Sequence, residues 1–286
     1  MMYQFDPVIP EIKTTDTETL YLFIDGAQLT DLSQLPSDIP PLPVYCYLVY
    51  EELNQISPYL FHATPEIKQW FIGQNKPTAG FFFSSYWSAE ELVQHFHQLI
   101  QVNSPYNTQS FLKMAHSEVA WALLKTKCQL FWEPMEKAWL PTRMGWKVLT
   151  HPDDKRKESP EAPLNLDEEQ WMLFDEITWR NLLEKIHRHV GHHFPGMLNQ
   201  EFFDLWIDAH ARIAHQKGFA TAGDQLRYFN IIGLLGEQSV TSEMYPDIYQ
   251  LVHFTSKETP AERIKKAEKL ALQYAEPETS RHFYVT

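Results

Sequence analysis

Residues 80–99 read GFFFSSYWSAEELVQHFHQL, and this stretch decides the fold of the amino-terminal half. Its opening, with Ala79 before it, is an apolar run of strand length through Ser84. Ser88 and Glu91 then have the spacing of a capping box, in which each side chain satisfies a free backbone donor of the other. The helix so opened should run to about Gln101, with Leu92, Phe96 and Leu99 on one face. A strand followed at once by a capped helix is the repeating step of a layered α/β structure.

The same alternation extends both ways. Upstream, Leu20 to Ile24 is a short apolar strand closed by Asp25 and Gly26. A proline-rich loop follows (Pro36, Pro40, Pro41, Pro43), then predicted strands at Val44–Val49 and Tyr59–His62. Thr64 caps a helix that starts at Pro65, carries Ile67, Trp70 and Phe71, and ends near Gly73. Downstream, Gln109–Met114 reads as a strand, Ser117–Leu124 as a helix, and Met144–Leu149 as a return to the sheet. Residues 1–149 are thus expected to form an α/β lobe, a sheet covered by helices.

Residues 150–164 are rich in Asp, Lys, Arg, Glu and Pro, the composition of a linker. Beyond it the period is helical throughout, so 165–275 is expected to be an all-α lobe, with a tail at 276–286. Asp167 to about His193 carries Trp171, Phe174, Ile177, Trp179, Leu182, Leu183 and Ile186. Gln200 to Lys217 carries Phe202, Phe203, Trp206 and Ile213. Thr221 with Asp224 opens a helix to Leu235, and Thr259, Pro260 and Glu262 open another to Tyr274.

Composition narrows the function. Of the 286 residues, 44% are hydrophobic and 21% charged, which suits a globular chain. The net charge is -13, and both halves are acidic, so nucleic acid is not an expected partner. The start of the chain (Met1, Met2, Asp6, Glu11) lacks the basic and apolar regions of a signal peptide, and no run has membrane-span length. A cytoplasmic location without stable membrane insertion is expected. Cys46 and Cys128 lie in separate apolar runs and read as buried, reduced thiols.

A catalytic set is hard to assemble. His187, His189, His192 and His193 cluster near a helix end, and His189 and His193 are i and i+4, the spacing of a shared metal. No HExxH accompanies them, and histidines also suit the negative end of a helix dipole. Ser84 and Ser85 lack the flanking glycines of a nucleophile elbow. Asp25 before Gly26 reads as a turn carboxylate before it reads as a catalytic one. No phosphate-cradling glycine loop is present, so no cofactor is expected. The notable excess is aromatic. Tyr86, Trp87, Trp139 and Arg143 stand in segments that read as turns, and exposed aromatic or Arg side chains there would anchor a protein partner.

Several segments also resemble a known family. Tyr21-Leu22-Phe23-Ile24-Asp25-Gly26-Ala27 resembles an opening of the form Y-x-L/F-I/L-D-G-A. Ser57-Pro58-Tyr59-Leu60 is similar to G-P-W-L, Gly80 to Ser85 to G-x-F-L-x-S, and Ser88 to Leu99 to S-x-x-E-L-x-x-H-L. Leu166 to Gln170 resembles L-T-E-E-Q, and His193-Phe194-Pro195 falls where an F-P ends a helix. Their order, over residues 20 to about 275, is that of the type VI secretion effector chaperones, often encoded between the VgrG spike and a toxic effector. One departure is Phe111 to Ser117, where the family often has F-R-x-Y-D-P-R.

The resemblance implies an α/β lobe followed by a helical lobe. It implies a non-enzymatic cytoplasmic adaptor that binds one effector, keeps it soluble and loads it onto VgrG. Two other readings stay open on the residues alone. One is a metal-dependent hydrolase built on the His187–His193 cluster. The other is an immunity protein whose acidic surface blocks a toxin.

Overall fold

The computed structural model describes residues 8–29, 32, 40–46, 48–152, 163–199 and 201–276. The chain forms two compact units, residues 3–177 and 178–286. The first contains β1 (Thr19–Asp25), β2 (Leu42–Pro43), β3 (Pro58–His62), α1 (Pro65–Gly73), β4 (Gly80–Ser85) and α2 (Ala89–Gln98). It continues through β5 (Gln101–Asn103), β6 (Gln109–Phe111), α3 (Ser117–Lys125), α4 (Gln129–Trp132), β7 (Lys137–Thr142), β8 (Gly145–Thr150) and β9 (Leu164–Asn165). Helix α5 (Glu168–His193) crosses the unit boundary. The second unit adds α6 (Phe203–Gln216), α7 (Ala222–Leu235), α8 (Gln238–Thr241), α9 (Pro246–His253) and α10 (Pro260–Ala275). The expected plan, a helix-covered sheet followed by helices, is the observed one. Of the stretch read as a linker, residues 153–162 lie outside the described residues, as do 277–286 of the tail.

The main sheet has the order β2-β3-β1-β4-β7-β8, and every pairing is antiparallel. Alternate side chains go to opposite faces. Tyr21, Phe23, Phe81 and Phe83 meet Leu92 and Phe96 of α2, with the Phe23 and Phe96 rings stacked at 4.6 Å. Leu22, Ile24, Phe82 and Trp139 meet Ile67 and Phe71 of α1 on the other face. Burial on both faces explains the unbroken apolar runs of β1 and β4. A smaller sheet has the order β6-β5-β9, with β9 parallel to β5.

Several motif residues now have physical reasons. A Cβ on Gly26 would lie 2.3 Å from the Ser57 carbonyl oxygen, so β1 can pass the Ser57-Pro58 segment only with glycine there. The tyrosine-to-alanine, Ser57 and Gly80 segments are three neighbouring strands, β3-β1-β4. Asp167 and Gln170 form a reciprocal cap on α5: Gln170 N donates to Asp167 Oδ1 at 2.8 Å, and Asp167 N to Gln170 Oε1 at 3.1 Å. The Ser88–Glu91 box is present as read.

Some expectations differ from the structure. Val44–Val49 is not a strand. Val44 N donates to Pro58 O and Tyr45 N to Ser57 Oγ, so the chain leaves the ladder after β2, and a 3-10 helix follows at Leu48–Ile56. Cys46 is accordingly exposed, whereas Cys128 is buried and burial pushes its thiol up to about 11. Helix α2 stops at Gln98, and Gln101 already belongs to β5. The strand at Gln109 ends at Phe111. Helix α4 and strand β7 were not expected.

The second unit packs Ile186 and Val190 of α5 with Phe203, Ile207 and Ala211 of α6, Tyr228, Phe229 and Ile232 of α7, and Ile264 of α10. Arg263 is buried in this core. Its Nη1 donates to Leu251 O at 2.7 Å and Phe254 O at 2.9 Å, its Nη2 to Lys217 O at 3.2 Å, and its guanidinium sits 5.3 Å over the Phe219 ring. It thereby satisfies carbonyls that the ends of α6 and α9 leave open.

Candidate partner-binding surface

Tyr86 and Trp87 link the end of β4 to the cap of α2. This link is held rigidly. Trp87 N donates to Ser85 Oγ at 3.0 Å, and Tyr21 OH donates to the Trp87 carbonyl at 2.9 Å. The Trp87 ring packs edge-on against His95 and is half-buried. Tyr86 is 60% exposed, with its hydroxyl 3.5 Å from Glu18 Oε1. A rigid backbone therefore presents one aromatic ring to solvent, the arrangement of an interface anchor.

Trp139 and Arg143 are placed differently from their expected turn-like context. Trp139 lies in the middle of β7 and is 1% exposed. Its indole donates to Glu11 O at 3.2 Å, and Lys137 Nζ lies over the ring at 5.0 Å. No surface of it is left for a partner. Arg143 sits in the β7–β8 turn, where its Nη1 is 2.6 Å from Glu118 Oε2 and its backbone N donates to Glu118 Oε1 at 3.1 Å. The two side chains are 10% and 3% exposed, so this is an internal clamp on the turn. Ser117, the last residue of the segment that departs from the family pattern, sits beside it, with its one hydroxyl proton within reach of both the Pro77 and Pro141 carbonyls.

Asp25, Ser85 and His189, weighed for chemistry, are held by structural bonds. Asp25 accepts from Ala27 N at 3.0 Å and Gln28 Nε2 at 2.9 Å, which is a turn carboxylate. Ser84 and Ser85 are buried within β4. Asn230 donates from Nδ2 to Glu268 Oε1 at 2.7 Å, so its Oδ1 faces His189 Nε2 at 2.6 Å. That nitrogen must carry the proton and has no lone pair for a metal. The His189 and His193 rings are 4.5 Å apart. Desolvation, then the neighbouring His189 and His192, hold His193 below the usual histidine range. His187 Nδ1 is 3.2 Å from Asp204 Oδ1. Among the described residues, no group of three or more His, Cys, Asp or Glu is placed to hold a metal ion.

The helix expected at Gln200–Lys217 begins at Phe203, and its apolar residues divide: Phe203 is buried and Trp206 half-buried, whereas Phe202, Leu205 and Ile213 are exposed. The buried face is instead Phe203, Ile207, His210, Ala211 and Ala214. An apolar pattern too wide for one buried face was the signal available in the sequence.

No helix among the described residues is long and apolar enough to cross a membrane. No solved structure matches the chain. A domain of unknown function, DUF4123, matches residues 20–129, within the first unit. Accessory protein VasW of Vibrio cholerae serotype O1 is 39% identical over 281 residues, which cover 96% of this chain and 95% of that protein. Near-complete coverage at that identity, with the DUF4123 match and the strand and cap motifs in place, settles the relationship: the chain belongs to the family of type VI secretion effector chaperones and has an adaptor role associated with that system.

Proposed function

We propose that this protein binds one type VI effector in the cytoplasm, keeps it soluble and loads it onto the VgrG spike, by binding energy alone and without a cofactor. The observation that carries this reading is the contrast between its surface and its reactive groups. Tyr86 is displayed on a fixed backbone, while Asp25, Ser85 and His189 are committed to structural hydrogen bonds. The name of the relative, accessory protein, accords with a role outside catalysis. On this reading Tyr86 touches cargo directly, with the half-buried Trp87 beside it. Trp139 and Arg143 act from inside, by holding β7 and its turn.

The test is co-expression of the tagged chain with the products of its neighbouring genes, at moderate salt. Recovery of a toxic effector, with or without VgrG, is the expected result, and Tyr86→Ala should reduce it while the melting temperature stays the same. Repeated recovery of the chain alone would remove the adaptor reading. Protection of cells from the toxin by the chain would instead point to an immunity protein.

A further inference from the structure

Helix α6 is apolar on two sides. Phe203, Ile207, Ala211 and Ala214 face the core. Leu205, Ala209 and Ile213 recur at helical spacing on another side and are exposed, as is Phe202 immediately before the helix. Single exposed apolar residues are ordinary in proteins. Three in register along one helix, with Phe202 exposed just before its first turn, form an apolar patch of the kind that marks an interaction site.

The backbone at Phe202 adds a separate observation. Its φ is 58° and ψ 37°, the left-handed region that bulky residues rarely adopt. The ring is 69% exposed, so burial does not offset that strain. Asn or Gly would fit this position more easily. A phenylalanine held there is a ring displayed at the start of the stripe.

The charges around the first part of the stripe are acidic, and Arg212 is the one base set along it. From Pro195 to Ala211 the chain has no Lys or Arg but has Glu201, Asp204 and Asp208. Trp206 Nε1 donates to Glu237 Oε2 at 3.1 Å, which brings a fourth carboxylate to α6. Arg212, the first base after this segment, is paired with Asp208 at 2.9 Å.

We propose that this stripe docks an amphipathic helix of the effector, one whose apolar side is flanked by Lys or Arg. The proposal rests on the adaptor reading and assigns the surface and the chemistry of its cargo. Phe202 and Leu205 are the anchors, in the manner of a helix laid along an apolar face. The acidic frame selects basic flanks and speeds encounter.

The test uses the full chain and a fluorescent synthetic peptide of about five helical turns, with Leu at i, i+3, i+4 and i+7 and Lys elsewhere. The wild-type chain is expected to bind it. Leu205→Glu combined with Ile213→Glu should weaken binding at least about tenfold, whereas Met172→Glu, an exposed control on α5, should not. A peptide with Glu in place of Lys should bind at least about tenfold more weakly. Phe202→Asn should raise the melting temperature yet weaken binding, an outcome that a purely structural role for Phe202 does not give. Equal binding by wild type and the double variant, or no binding at all, overturns the proposal. So does a wild type that sediments as a dimer, turns monomeric in the double variant and ignores the peptide, because a second copy then covers the stripe. The peptide contains no effector sequence. Its failure therefore leaves the adaptor reading standing if the effector is still recovered, whereas recovery of no effector removes that reading and, with it, the assignment of the docked helix to an effector, even if the peptide binds.

Discussion

Phe194 occupies the space that a side chain at Gly233 would take: a Cβ there would lie 2.5 Å from Cγ and Cδ2 of the ring and 2.6 Å from Cδ1. The ring atoms nearest its own backbone are involved, so a small swing of the ring tip gives no relief. Alanine is the better helix former by about 1 kcal/mol, which alone predicts that Gly233→Ala stabilises α7. Overpacking of this kind costs about 1–3 kcal/mol and opposes it. Gly233→Ala is expected to lower stability in urea unfolding, and the double variant with Phe194→Leu to recover part of the loss. A stabilised Gly233→Ala would mean that the ring moves freely.

The Glu118–Arg143 clamp yields a second expectation. Removing one partner from a buried ion pair deprives the other charge of its close counter-ion, at about 3–5 kcal/mol. Glu118→Gln and Arg143→Met should each destabilise the first unit by about that amount, and the double variant by clearly less than their sum. Additive losses in a double-mutant cycle would show that the pair is not coupled.

The architecture was legible where local chemistry and fold agree. The Ser88–Glu91 and Thr259–Glu262 pairs are caps that sequence spacing alone reveals. The family-like segments around Gly26, Ser57 and Gly80 turned out to be adjoining strands with a glycine-sized passage between them. They report architecture and carry no statement about cargo.

What failed depended on long-range pairing. Strand direction was hidden because both faces of β1 and β4 are buried, which erases the polar alternation of a one-faced sheet. Strand β7 was missed because Pro141 resembles a turn, yet it stands opposite Trp146 at the hairpin end and its carbonyl accepts from Ser117. Trp139 and Arg143 were therefore read as surface residues. In α6, helical periodicity showed that Leu205 and Ile213 belong to a helix but neither that Phe202 lies before it nor which side the unit buries.

Acid should loosen the second unit. His210 is buried; desolvation holds its pKa below the usual value, although Glu237, 3.4 Å away, works in the opposite direction. An unfolded chain then binds a proton more readily than the folded one does. This contribution to stability is whole above the unfolded histidine pKa of about 6.5 and is lost as pH falls through the lower folded value. His210→Gln should flatten the dependence of urea stability on pH below about 6.5. An unchanged slope would show that other histidines, such as the similarly depressed His95, carry it.

Arg263 offers the most demanding prediction for the helical unit. Its guanidinium serves three carbonyls, Leu251, Phe254 and Lys217, which lie at the ends of α9 and α6. Arg263→Met keeps the apolar stem and the packing against Phe219 but leaves those acceptors unpaired. Each buried unsatisfied group costs about 1–3 kcal/mol, and partial access to water reduces the total, so a loss of about 2–4 kcal/mol is expected. Arg263→Lys should recover only part, because an ammonium cannot reproduce the planar fork that reaches two helix ends at once. Hydrogen exchange offers the discriminating readout. Amides near Lys217 and Phe254 should lose protection together in Arg263→Met, and exchange that rises at only one of the two sites would show that the side chain caps a single helix and does not tie the pair.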